Sequence, residues 1–93
     1  MRYHSERVAS LINEELSKII VREIEFPNCL ATIINVESDK KFTKAIINFS
    51  ILPFEKSEEA LKILEKNRVH LQYLLMKKIN IKPMPKIIFI ARS

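Results

Sequence analysis

Ahead of Pro27, the apolar residues Val8, Leu11, Ile12, Leu16, Ile19, Ile20 and Ile24 recur every three or four positions. That period places them on one side of a helix and predicts an amphipathic helix over roughly Ser5 to Glu25. Ser5 is the expected N-cap, Glu6 suits the positive end of the helix dipole, and Pro27 forces the end. "LATIINVES", Leu30 to Ser38, is too short for a typical helix and rich in β-branched residues, so it predicts a strand. "FTKAIINFSIL", Phe42 to Leu52, alternates: Thr43, Ala45, Ile47, Phe49 and Ile51 share one face, with Lys44, Asn48 and Ser50 on the other. This is the pattern of a half-solvated antiparallel partner. Asp39-Lys40-Lys41 is the expected hairpin turn, with Asp39 as its former.

Pro53 closes the second strand, and Ser57 is the expected cap of a helix from Glu58 to about Lys66. A third helix is expected from about Arg68 to Ile79, burying Leu71, Leu74, Leu75 and Ile79. Asn67, expected to take a left-handed turn, separates the two; a single rod from Glu58 to Ile79 is the competing reading. Pro83 and Pro85 precede a last strand, Lys86 to Ala91. The order α-β-β-α-α-β predicts a single α+β domain over residues 1–93, a three-stranded sheet packed on one face by three helices.

Glycine is absent from all 93 residues. The chain therefore has no Walker loop, no G-x-G-x-x-G fingerprint and no G-x-S-x-G elbow. Any turn needing positive φ must fall to Asn or Asp. Cys29 is the single cysteine, so no disulfide framework is available and a reducing compartment is expected. The N-terminus scatters charges through its apolar positions, and no run approaches membrane-spanning length. A cytoplasmic location without membrane contact is the expectation.

Charge changes the picture. All eleven acids lie at or before Glu65, whereas Lys66, Arg68, Lys77, Lys78, Lys82, Lys86 and Arg92 follow it. The net charge of +5 comes from the second half of the chain, which points to a polyanionic partner. On the third helix His70, Tyr73 and Lys77 fall together, opposite Leu71, Leu75 and Ile79. An aromatic ring among cations suits RNA, because a base stacks on the ring while the cations meet phosphates. Arg68, His70, Tyr73, Lys77, Lys78 and Lys82 are the candidate RNA-binding residues, and Lys40, Lys41 and Lys44 could extend the footprint around the hairpin. The bland reading of the same residues is a solvated lysine-rich surface with a snorkelling tyrosine. Arg22 and Glu23 read as an ion pair near a helix end. No catalytic set and no metal-ligand cluster emerges from His4, His70 and Cys29, no cofactor is implied, and paired carboxylates such as Glu14-Glu15 point to different helix faces.

The element order is that of a type II KH-like fold, and three motifs narrow it. "RVA" at Arg7 to Ala9, followed by "REIEFP" at Arg22 to Pro27, resembles the first helix of the ribosome-binding factor A family. "VESDKKFTKAIINFS" (Val36 to Ser50) keeps Val36, Glu37, Ala45 and Ser50 of that family's hairpin pattern. "LLMKKINIKPMPKIIFIARS" is similar to its approach to the last strand, with Lys77, Ile81, Lys82, Pro85 and Phe89 in register. The resemblance spans essentially the whole chain, in a short form lacking the family's basic C-terminal tail. The chain departs from it in places: Asn67-Arg68-Val69 occupies the slot of the family's Ala-x-Gly kink, Gln72 stands where the family has an arginine, and Asp39 and Lys41 occupy places usually held by Ser and Asp.

The resemblance implies a non-enzymatic RNA-binding assembly factor, monomeric when free and acting on no small-molecule substrate. It implies binding to the small (30S) ribosomal subunit and its rRNA, assisting late maturation and processing of 16S rRNA. The alternative is a basic protein-interaction module docking on an acidic partner.

Overall fold

A computed structural model describes residues 5–41 and 43–92. In chain order the elements are α1 (Ser5–Glu23), β1 (Leu30–Ser38), β2 (Lys44–Leu52), a single 3-10 turn (Phe54–Lys56), α2 (Ser57–Lys66), α3 (Arg68–Ile79) and β3 (Lys86–Arg92). The expected α+β order is therefore present. The start expected for the second strand, Phe42, lies outside the described residues, as does the side chain of Ser5, the expected first cap. α1 ends at Glu23, although the Ile24 amide still donates to Ile20 O at 2.9 Å.

β2 is the central strand, antiparallel to β1 and parallel to β3. The parallel pairing follows from the α2–α3 crossover, because a parallel return needs a long connection. Ala45, Ile47, Phe49 and Ile51 of β2 join Ile87 and Phe89 of β3 on the inner face. Three helical stripes cover this face: Val8, Ile12, Leu16, Ile19 and Ile20 from α1, Ala60 and Leu64 from α2, and Leu71 and Leu75 from α3. Phe49 and Phe89 meet at a centroid distance of 5.9 Å and a tilt of 59°, a favourable aromatic arrangement. Burying each large side chain in this layer contributes about 1.5–3 kcal/mol.

β1 breaks strict alternation. Its pairing passes from Ile33↔Phe49 directly to Asn35↔Asn48, leaving Ile34 as a bulge. The extra residue resets the face, so that Ala31, Ile33 and Val36 all turn toward the helices and Asn35 points outward. Asn48, expected on a half-solvated face, is only 3% exposed. Its amide nitrogen donates to Asn35 Oδ1 at 2.6 Å, and its oxygen accepts from Arg92 Nε at 3.0 Å. One polar chain thus ties all three strands.

Two expected caps are corrected. Ser57 is the first residue of α2, and its hydroxyl donates backward to Phe54 O at 2.6 Å, closing the 3-10 turn. Asn67 does separate α2 from α3, but at φ −103° and ψ 5° rather than in the left-handed region. Its side chain explains why: Nδ2 donates to Ile63 O at 2.8 Å, covering a carbonyl at the end of α2. Its own carbonyl accepts from the Leu71 amide at 2.9 Å and so starts α3. Among the described residues the positive-φ positions are Asn28 (60°) and Asn80 (48°), asparagines as a chain without glycine favours.

Candidate nucleic-acid interface

α3 is a ridge with apolar residues on both sides. Leu71 and Leu75 anchor it inward, which turns Val69, Tyr73, Met76 and Lys77 outward. Tyr73 is 51% exposed. Lys77, four residues on, holds its ammonium 5.4 Å from the centre of the Tyr73 ring, within cation–π range. The pair presents a flat ring with a cation beside it, reachable from solvent.

The other expected residues flank the pair in different ways. His70 lies along the same exposed side, but its Nε2 is 3.3 Å from Glu23 Oε1, linking α3 to the end of α1. The Arg22 guanidinium, and after it His70, hold the exposed Glu23 carboxyl below the usual carboxylate range. Arg22 Nε lies 3.1 Å from Glu23 Oε2, the ion pair expected there. Arg68 occupies the opposite flank of the ridge, partly buried and donating to Glu65 Oε2 at 3.3 Å. Lys78 is exposed on the α1 side, and Lys82 is exposed beyond the Asn80 turn. Lys40, Lys41 and Lys44 are also exposed, around the hairpin tip.

Two depressions flank the ridge. On the β3 side Arg68, Val69, Gln72, Tyr73, Met76 and Met84 enclose about 240 Å³, mostly apolar. There Gln72, in the place of the family's arginine, accepts a hydrogen bond from the Ile87 amide at 3.3 Å and fixes the start of β3 to α3. On the α1 side a groove of about 520 Å³ is lined by Glu15, Lys18, Ile19, Arg22, Leu74, Lys77 and Lys78. The sequence did not single out Lys18 or read Arg22 as part of a charged wall. Only helical phase could have hinted at this: both follow Leu16 and Ile19 around α1, but nothing local indicates which helix they face.

Among the described residues, no group of three His, Cys, Asp or Glu side chains is placed to hold a metal ion. None of the described helices is long and apolar enough to cross a membrane.

The fold has close counterparts. The crystal structure of ribosome-binding factor A from Thermus thermophilus superposes with a TM-score of 0.82 at 19% identity, covering 96% of this chain and 97% of that one. A homology model of the Thermus thermophilus factor, fitted into a cryo-EM map of its complex with the 30S subunit, gives a TM-score of 0.79 at 18% identity, with 92% of each chain covered. At such identities the likeness establishes the fold alone. No curated protein matches the sequence significantly. The family model described as ribosome-binding factor A matches residues 4–92. With the α-β-β-α-α-β order and mixed sheet in place, that match over nearly the full length settles membership: the chain belongs to the ribosome-binding factor A family.

Proposed function

We propose that this chain is a non-enzymatic assembly factor that binds the small ribosomal subunit and assists late maturation of its 16S rRNA, docking through the exposed ridge of α3. The observation that carries the reading is the Tyr73–Lys77 pair, with the ring half-exposed and the ammonium 5.4 Å from its centre. An unstacked base packs on such a ring, and the lysine meets the adjoining phosphate. Lys78 and Lys82 add phosphate contacts that position the chain without reading sequence. Arg68 and His70, each held by a carboxylate, orient the ridge more than they grip RNA. Family membership supplies the ribosomal context.

The test is sedimentation of cell extracts through a density gradient at low and raised salt. The chain should travel with small-subunit precursors at low salt and leave them as salt rises, and cells lacking it should accumulate subunits whose 16S rRNA ends are untrimmed. A chain that stays at the top of the gradient at every salt concentration, with rRNA ends normal in its absence, refutes the reading and favours a protein-interaction module.

A further inference from the structure

The groove between α1 and α3 gathers Lys18 and Arg22 from one wall and Lys77 and Lys78 from the other, against a single lining carboxylate, Glu15. Ile19 and Leu74 form its apolar floor. A cleft with walls of one sign over a low-dielectric floor concentrates its field on an entering anion. The existing partners of these cations are weak competitors. Lys18 Nζ stands 3.7 Å from the exposed Glu14, where such a pair contributes little. It stands 3.6 Å from Glu15, whose side chain is only 17% exposed in the groove wall, so at both contacts the exposed ammonium is held at more than 3.5 Å. Arg22 uses Nε on Glu23, and among the described residues its terminal NH2 groups have no hydrogen-bond partner, so they suit the two-point contact with a phosphate.

Lys77 joins this groove to the ridge, because it both lines the groove and reaches the Tyr73 ring. A nucleotide stacked on Tyr73 therefore has a cationic path for its own backbone that leads toward α1. We infer that the α1–α3 groove is a phosphate track for the rRNA backbone, with Lys18 and Arg22 as contacts on a helix outside the acid-free segment. The inference rests on the ribosomal reading above and adds the second wall to it. An acidic peptide would match the charge but not the adjoining aromatic ring, so RNA is the occupant favoured.

The experiment measures binding of the full chain to purified small-subunit precursors over a range of salt. The wild type is compared with the double variant Lys18→Ala/Arg22→Ala and with Lys56→Ala as control. Each lost phosphate contact lowers the slope of log K against log salt by about 0.7–0.9 in magnitude, so the double variant should lose roughly 1.4–1.8. Both replaced side chains are more than half exposed, so the thermal midpoint should hold, and a matching double variant to Gln should show the same slope loss. A double variant that keeps the full slope while the wild type binds overturns the groove alone. A wild type that fails to bind overturns the groove together with the ribosomal reading. Competition distinguishes the occupants: an oligouridylate should displace the precursor far better than an oligoglutamate of equal charge, and equal displacement would assign the groove to protein carboxylates and overturn the proposal.

Discussion

Asn67 and Asn80 stand at opposite ends of α3, and the same residue type serves two different needs there. Asn80 takes the left-handed conformation, φ 48°, and its amide closes onto Met76 O at 2.9 Å. Asn67 stays right-handed and works through its side chain on Ile63 O. The two therefore respond oppositely to glycine. Asn80→Gly should be neutral or slightly stabilising, and Asn80→Val should cost about 1–2 kcal/mol because a branched residue resists positive φ. Asn67→Gly should cost about 1–2 kcal/mol through a lost hydrogen bond and a looser backbone. Urea midpoints of the three variants decide the matter. An Asn67→Gly variant more stable than the wild type would mean that the joint is left-handed in solution after all. Sequence could name asparagines as the residues for such positions but could not divide the tasks between them, because a capping side chain and an αL backbone both select Asn.

At the scale of elements, the hairpin between β1 and β2 depends on one carboxylate. Asp39 accepts from the Thr43 amide at 2.6 Å, from the Lys44 amide at 3.3 Å and from the Thr43 hydroxyl. These bonds, the Thr43 hydroxyl's foremost, hold the Asp39 carboxyl below the ordinary aspartate range. A carboxyl with a depressed folded pKa contributes fully above its unfolded value, about 3.9, and the contribution is lost as pH falls through the lower folded value. Melting temperature followed downward from about pH 5 should therefore drop less steeply in Asp39→Asn than in the wild type; parallel curves would show that the turn does not depend on the charge. Glu23, shifted the same way, leaves part of the acid sensitivity in place. The elements themselves were largely legible, since α1 carries a clear period ahead of Pro27, Pro53 closes β2, and Pro83 and Pro85 precede β3. The bulge at Ile34 was not: "TIIN" fits either face until the register with β2 decides it. Ser57 misled for a related reason, because a 3-10 turn before α2 offered its hydroxyl a carbonyl to meet.

Taken whole, the molecule sets three helices on the inner face of its sheet and leaves the outer side of α3 to solvent. That α3 carries Arg68, Lys77 and Lys78 and no acid was legible along the sequence, because charge and helical phase are both local properties. What it could not show is tertiary. Glu23 meets His70 across 47 positions of sequence, and Lys18 and Arg22 face Lys77 and Lys78 only once α1 lies beside α3. Read along α1 alone, Lys18 with Glu14 looks like an ordinary helix-surface pair, and Arg22 looks occupied by its neighbour Glu23. The central claim is that the Tyr73–Lys77 ridge, rather than diffuse net charge, faces rRNA. Its most direct test is the salt-dependent affinity of Lys77→Ala, Tyr73→Ala and Lys56→Ala for small-subunit precursors. Lys77→Ala should weaken binding and lower the slope magnitude by about 0.7–0.9. Tyr73→Ala should cost about 1–3 kcal/mol with the slope unchanged. Lys56→Ala, a cation paired with Glu59 away from the ridge, should change neither. If Lys56→Ala weakens binding as much as Lys77→Ala does, the attraction is diffuse and the ridge is not the interface.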